Sequence, residues 1–372
     1  MEKPLRVMQM APLRMGGITE MVLNIAENVD RTKVVFDYLT FIDTFENARL
    51  RAENAGGVVY RVDLQSIQNP VWRGIKKFFG IVKLVKKQNF NIIYINTSTP
   101  YEVLVAFAAK MGGAKKIVLH SHNSSYYPGQ KLTKVSCVFK ALMPLFVTHY
   151  IACSEDAANF MFPKKVIEQH KYIILKNGIN VDKFRFDTDV REEYRSKFKL
   201  NDCFVIGNVS RFNVQKNHEF LIDIFAEVYK RDNSARLFLV GGGETEDAVR
   251  RKVHGMSLDD VVTFHGLSKE VNKLLQMMDV FVMPSLYEGL PVAGVEVQAS
   301  GLPIVISDTV TKELQITDNV EYLPLNAGEG IWAARILQYK TYIRRDTSAL
   351  IKKSGFDIRQ TVKILSNLFR TR

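Results

Sequence analysis

Val280-Phe281-Val282-Met283-Pro284-Ser285-Leu286-Tyr287-Glu288-Gly289-Leu290-Pro291-Val292-Ala293-Gly294-Val295-Glu296 is the stretch on which the fold reading turns. Four consecutive apolar residues, Val280–Met283, show no polar alternation, so the strand they predict is buried on both faces. A turn-rich loop follows, and Pro291-Val292 opens a helix, a position that proline suits because its missing N–H is not needed there. Outward from this unit the same alternation recurs. In the second half the strand-like runs are Phe204–Val209, Arg236–Val240, Val261–Phe264, Val280–Met283, Pro303–Ser307 and Val320–Leu323. In the first half they are Leu5–Ala11, Val34–Phe41, Val58–Val62, Asn91–Asn96, Lys116–His120, Tyr150–Cys153 and Tyr172–Leu175.

Buried apolar strands separated by helical stretches predict an α/β architecture with parallel sheets. A single twisted sheet of that many strands tends to split, so two Rossmann-like domains are expected. A chain of 372 residues also suits two domains. The boundary is expected near Asn177–Lys199, where the turn Asn177-Gly178-Ile179-Asn180 meets the densely charged Asp182–Lys199. At the other end, Ile358, Val362, Leu365 and Phe369 are spaced for an amphipathic helix. Ligands of such sheets bind beyond the carboxyl ends of strands, and two facing sheets predict a cleft.

Composition narrows the function classes. Apolar residues make up 47% and charged residues 24%, ordinary values that exclude disorder as the main state. No run approaches the ~18 apolar residues of a membrane span, and the first residues lack the apolar core of a secretory signal. Cys137, Cys153 and Cys203 are widely spaced, which indicates neither a disulfide framework nor a zinc site and fits a reducing cytoplasm. The net charge of +12 is uneven: residues 1–190 carry 26 basic against 16 acidic residues, the remainder 25 against 23. A basic half attracts nucleic acid, anionic lipid or phosphorylated ligands, and charge alone does not choose.

Four constellations follow strands. Met15-Gly16-Gly17-Ile18-Thr19-Glu20 opens a helix, where paired glycines let backbone N–H groups approach a phosphate, with a plain turn as the alternative. His120-Ser121-His122-Asn123 puts two histidines on one strand face, structural or ligand-binding, with no acidic or cysteine neighbour to complete a metal site. Arg211 and Lys216 flank Phe212–Gln215 at a strand end and helix start, where positive charge opposes the helix dipole unless an anion sits between. Glu288 lies on the loop of the opening stretch and Glu296 inside its helix, where apolar company makes an unpaired carboxylate costly; ribose hydroxyls would satisfy Glu296, and sugar hydroxyls Glu288. The turns Gly241-Gly242-Gly243 and Phe264-His265-Gly266-Leu267 stand beside them, able to let backbone crowd a ligand. Asp187-Thr188-Asp189 spells a metal-binding D-x-D, but lies in the charged linker and reads as surface.

With these residues in view the chain resembles retaining glycosyltransferases of the GT-B fold, in family four, the group of bacterial capsule and exopolysaccharide enzymes. The likeness runs through Gly16-Gly17, His122, Cys153-Ser154-Glu155, Asn177-Gly178-Ile179, Arg211 with Lys216, Gly241-Gly242-Gly243, Glu288 with Glu296, and Gly301-Leu302-Pro303. It implies an N-terminal acceptor domain (1–183), a donor domain (184–355), and a C-terminal helix (356–372) that crosses back to the first. By that likeness His122, Glu288, Arg211 and Lys216 are the catalytic set. Gly16, Gly17, Gly242, Gly266, Leu267, Gly289, Leu290, Pro291, Val292 and Glu296 line the donor site, and His120 and Asn123 are further candidates near the acceptor. The donor is a nucleotide sugar, usually UDP-linked, with no metal or other cofactor required. The acceptor is a saccharide or lipid-linked saccharide. Ser300 and the small Val292-Ala293-Gly294 depart from the family pattern, which leaves the sugar open.

Between Val71 and Phe90 six basic residues (Arg73, Lys76, Lys77, Lys83, Lys86, Lys87) stand without an acidic one, while Ile75, Phe78, Phe79, Val82 and Val85 recur at helical spacing. An ordinary helix with a solvated face and peripheral contact with anionic membrane are both compatible with this. The expected location is therefore cytoplasmic, at the inner face of the membrane, with no nucleic-acid partner. Competing classes are a GT-B-fold sugar-nucleotide epimerase and a non-enzymatic binder of nucleic acid or anionic surfaces.

Overall fold

The structure is a computed structural model that describes residues 3–14, 16–123 and 134–371. Met15 of the first glycine turn and Arg372 lie outside the described residues. Among these, every strand-like run forms a strand: β1 Leu5–Met10, β2 Val34–Thr40, β3 Val59–Arg61, β4 Ile92–Thr97, β5 Lys116–Ser121, β6 His149–Ala152 and β7 Ile173–Ile174, then β8 Phe204–Val209, β9 Ala235–Val240, β10 Val262–Gly266, β11 Val280–Met283, β12 Ile304–Ser307 and β13 Val320–Leu323. They make two wholly parallel sheets, in the orders β3-β2-β1-β4-β5-β6-β7 and β10-β9-β8-β11-β12-β13. Strand order reverses beside β1 in one sheet and beside β8 in the other, the switch points where open α/β sheets bind ligands.

The chain divides into two compact units, one ending at Gly178 and resuming at Ile358, the other Ile179–Asp357. The crossing thus lies a few residues before the boundary expected at 183/184, for a packing reason. Ile179 and Val181 are fully buried in the second unit's core, and the Ile179 amide donates to the Phe356 carbonyl at 2.8 Å. At Gly178 a Cβ would meet Thr361 Oγ1 at 2.4 Å and Ile358 Cα at 2.8 Å, so only glycine fits beside the returning chain. Phe356 and Asp357 stay with the second unit, and the helix Ile358–Arg370 belongs to the first. Its buried Ile358, Val362, Leu365 and Phe369 are the residues that the periodicity picks out. Phe369 packs edge-on against Phe36 and Tyr94.

Each sheet carries core on both faces. In the first unit one face is covered by helices Pro70–Gln88, Val103–Met111 and Lys134–Phe146, the other by Gly17–Asn28 and the returning helix. Two sequence expectations change here. Within Pro70–Gln88 the buried seam is Ile81 and Val85, whereas Ile75 and Phe79 are exposed together with Val71 and Trp72. And the charged stretch after Asp182 is no linker. It contains the helix Thr188–Lys197, whose Arg191 and Arg195, one turn apart, both reach Asp279. Asp187 caps that helix by accepting from the Asp189 and Val190 amides, which gives the D-x-D a structural task.

Candidate functional site

The second unit joins Lys216 and Glu288 at the β8/β11 switch point. After β8 the chain turns through Asn213, whose side chain accepts from the Lys216 amide at 3.1 Å and caps the short turn Val214–Lys216. This aims Lys216 at the loop after β11, where its Nζ forms an ion pair with Glu288 Oε1. The pair is largely shielded, the Glu288 side chain being 8% exposed. Ser285 Oγ donates to the same carboxylate oxygen at 3.0 Å, and Gln215 Nε2 donates to Glu288 Oε2 at 3.3 Å and to the Tyr287 carbonyl at 2.9 Å. The Gln215 carbonyl in turn accepts from the Leu286 amide at 2.8 Å. The two loops are thus tied by main chain and side chain at once. Asn208 Nδ2 ties the strands beneath them by donating to the Val282 carbonyl at 2.8 Å.

Chemically this leaves capacity for a ligand. An ammonium has three donors, and one Glu288 contact leaves two for an anion; a carboxylate accepting three hydrogen bonds has a lone pair for a hydroxyl. Arg211, by contrast, is brought elsewhere: its guanidinium pairs with Glu244 at 3.0 Å, with both side chains about half exposed. Glu296 sits half-buried on the helix Val292–Ala299, which Pro291 precedes and Gly289 and Leu290 lead into.

The glycines sort by what the backbone needs. Cβ atoms at Gly241 and Gly243 would meet the Ser210 and Phe212 carbonyl oxygens at 1.9 and 2.2 Å, so both are required by the protein's own loop. Gly242 between them would meet nothing closer than 3.6 Å among the described residues, and Leu267, next to Gly266 at the end of β10, is the exposed apolar side chain beside it. The residue beneath this loop is His218, stacked on Phe212 with ring centroids 4.1 Å apart and with Nε2 3.1 Å from Ser210 Oγ. Burial, then the charge of Lys216, pushes the imidazole down to about 4.

The first unit has its own cluster at the β1/β4 switch point. Gly16, with φ +152°, precedes the helix Gly17–Asn28, and the Glu20 amide donates back to its carbonyl at 3.1 Å. Among the described residues no atom beyond its chain neighbours and its own helix backbone lies within 4 Å of a Cβ built on Gly17, so their packing does not demand glycine there. His120 on β5 is fully buried with Nδ1 2.6 Å from the Tyr94 hydroxyl, and His122 follows with its ring centroid 4.0 Å from that of His120. His122 Nε2 lies 3.0 Å from Asn96 Oδ1. Burial holds His122 down at about 3, and burial and then His122 hold His120 well below the usual histidine range, so both rings are neutral. Asn123 is half-buried beside them. Among the described residues no three metal-ligating side chains cluster anywhere.

Sequence reasoning missed Gln215, Ser285, Asn213, Asn96, Glu244 and His218. Asn96 had a signal: an amide ending the apolar Ile92–Ile95 run needs a partner. Gln215 had none, since an uncharged residue in a basic loop announces nothing.

Residues 203–338 match the family described as glycosyl transferases group 1, and residues 15–183 match Glycosyltransferase Family 4. The Bacillus subtilis protein named as a glycosyltransferase, EpsF, is 32% identical over 363 residues, covering 95% of this chain and 93% of that one. The chain belongs to the glycosyltransferases. This glycosyltransferase is also 26% identical over 248 residues to an Escherichia coli UDP-Gal:alpha-D-GlcNAc-diphosphoundecaprenol alpha-1,3-galactosyltransferase, covering 61% of this chain and 60% of that one. Among solved structures, Anabaena Alr3699/HepE in complex with UDP and glucose superposes with a TM-score of 0.78 at 17% identity, over 99% of this chain and 100% of that one. The two parallel sheets are those of the GT-B fold, and the protein is a transferase enzyme. The relatives are named as transferases, so the epimerase and non-enzymatic readings are set aside.

Proposed function

We propose that this glycosyltransferase moves a sugar, with retention, from a UDP-linked donor to a saccharide of a bacterial surface polysaccharide. The single observation that carries the reading is the joining of Lys216 and Glu288 at the β8/β11 switch point by Gln215 and Ser285. In this reading the second unit is the donor domain. Lys216 holds the donor diphosphate and carries the negative charge that grows as the glycosidic bond breaks. Arg211 exchanges its exposed Glu244 contact for a phosphate oxygen, a bidentate partner its planar fork suits better. Glu296 takes the ribose hydroxyls, Glu288 the transferred sugar, and Gly242, Gly266, Leu267 and the 289–292 segment bring backbone and apolar surface to the nucleotide. With these cations in place the reaction runs without a metal cofactor.

The first unit is the acceptor domain; Gly16 and Gly17 bring backbone N–H groups to the donor phosphate, His122 contacts the transferred sugar, and His120 and Asn123 are its candidates near the acceptor. A lipid-linked acceptor is supported by the E. coli relative, whose name specifies a diphosphoundecaprenol substrate. No helix among the described residues is long and apolar enough to cross a membrane. Contact with the inner face of the membrane is instead peripheral, through the helix Pro70–Gln88. Its exposed Val71, Trp72 and Phe79, each over 60% accessible, stand among six basic residues and no acidic one.

A panel of nucleotides and sugar nucleotides in thermal shift tests the donor. UDP and one UDP-sugar should raise Tm, a ligand at a hundred times its Kd adding about 2.7 kcal/mol. Product analysis with a lipid-linked saccharide then reads transfer and anomeric configuration. No shift with any uridine nucleotide removes the donor assignment, and an inverted product removes retention.

A further inference from the structure

We propose that Asn96 is a positioning residue that fixes His122 as the Nε2–H tautomer, so that Nδ1 is presented as a hydrogen-bond acceptor for a ligand hydroxyl. Asn96 lies near the end of β4 and pairs in register with His120 on β5. The ladder continues one step past the strand, the His122 amide donating to the Thr97 carbonyl at 3.0 Å. The Asn96 amide group has one orientation that satisfies both its ends. Its Nδ2 donates across the switch point to the Met10 carbonyl at 3.3 Å, and its Oδ1 faces His122 Nε2 at 3.0 Å. Turned over, it would set oxygen against the Met10 oxygen and a second donor against the ring. An amide oxygen only accepts, so Nε2 must carry the proton, and the remaining ring nitrogen is then a lone pair.

The ring is also kept from charging. Among the described residues the groups facing it are Asn96 from β4 and His120 from β5, with the Cys153 thiol on its own backbone carbonyl at 3.6 Å and the Met10 carbonyl beyond Asn96. None of these is a carboxylate that would hold an imidazolium, and burial of His122 works in the same direction. A neutral ring presenting only a lone pair accepts from a hydroxyl and has nothing to donate to a phosphate oxygen. That suits the contact with the transferred sugar already given to His122 in the function proposed above, on which this step rests, and does not suit a diphosphate oxygen.

The experiment uses the full chain labelled with 15N and long-range 1H–15N correlation of the imidazoles, with His122→Gln identifying the His122 signals. The expected wild-type pattern is a protonated Nε2 and a lone-pair Nδ1, unchanged from pH 8 to pH 5.5. Asn96→Asp retains an acceptor and should keep the tautomer at pH 8, while its charge draws a proton onto Nδ1 as the pH falls. Asn96→Leu should give a mixture of tautomers. Turnover of the UDP-sugar identified by the panel follows the ring: kcat down about tenfold or more in Asn96→Leu at every pH. In Asn96→Asp it is near wild type at pH 8 and falls with acid, because the hydroxyl then faces a donor. An Nδ1–H or charged His122 in the wild type, or an unmoved tautomer in folded Asn96→Leu, overturns the proposal. So does an altered tautomer with unaltered kcat. A wild type that turns over no sugar nucleotide contradicts the function proposed above instead, and the nitrogen shifts still decide the tautomer.

Discussion

Lowering the pH from 6.5 to 5.5 should destabilise the second unit through His218. The ring is 2% exposed, stacked on Phe212, and its Nδ1 has no partner among the described residues. Its pKa is about 4 in the folded protein against 6.5 for an ordinary histidine. A depressed histidine contributes stability that is fully present above the unfolded value and is lost as pH falls toward the folded one, because the unfolded chain takes up the proton first. The loss works out at about 1 kcal/mol between pH 6.5 and 5.5, and about 3 kcal/mol by pH 4. Urea unfolding followed by Trp332 fluorescence in a Trp72→Phe background measures it. Trp332 is wholly buried in the second unit, its indole N–H donating to the Pro324 carbonyl at 3.0 Å. The comparison is with His218→Gln, which keeps a donor for Ser210 and lacks the titration; His254 and His265 are common to both proteins and cancel. Equal losses in the two proteins over that pH interval would refute the reasoning.

Four further outcomes are expected. Lys216→Ala should weaken UDP binding in calorimetry by about 1.5–3 kcal/mol, the range for a hydrogen bond to a charged group. Gly243→Ala should cost about 1–3 kcal/mol from backbone strain alone, with φ at +159° and the Phe212 carbonyl in the way, whereas Gly242→Ala should leave Tm unchanged and raise only the donor KM. Transfer should proceed undiminished in EDTA, because Lys216 and Arg211 carry the phosphate charge; activity restored only by added divalent cation would overturn that. Vesicles containing phosphatidylglycerol should bind the protein and shift Trp72 emission to the blue, an effect lost in Trp72→Ser/Phe79→Ser and weakened by salt, while indifference to anionic lipid content would remove membrane contact.

The strands were legible because a strand buried on both faces is largely apolar; Val280–Met283 and Phe204–Val209, with Asn208 its one polar residue, match to the residue. Strand order was not, since nothing in the composition of β4 says that it lies beside β1. Lys216 and Glu288 each stood out in its own motif. Their pairing across 72 positions comes from the strand order that was unreadable, and with it the clamp through Gln215. Charge density misled at Asp182–Lys199, where arginines that look solvated converge on Asp279. In Gly241-Gly242-Gly243 the sequence marks three equal residues, and only the neighbouring carbonyls show that the outer two serve the loop itself.

The first unit draws its sheet from residues before Ile179 and its last helix from Ile358–Arg370, with the other unit inserted between. Phe36 and Tyr94 lie against Phe369, so during synthesis the part of their side that Gly17–Asn28 does not cover waits while the inserted unit emerges. The inserted unit has all of its strands once Leu323 has been made, and its buried Ile351 and Phe356 come before the final helix. Later sequence can therefore reach its native packing ahead of the earlier. A ribosome stalled before position 358 would hold an apolar face open to chaperones, and slow codons there would lengthen that exposure without altering the finished enzyme.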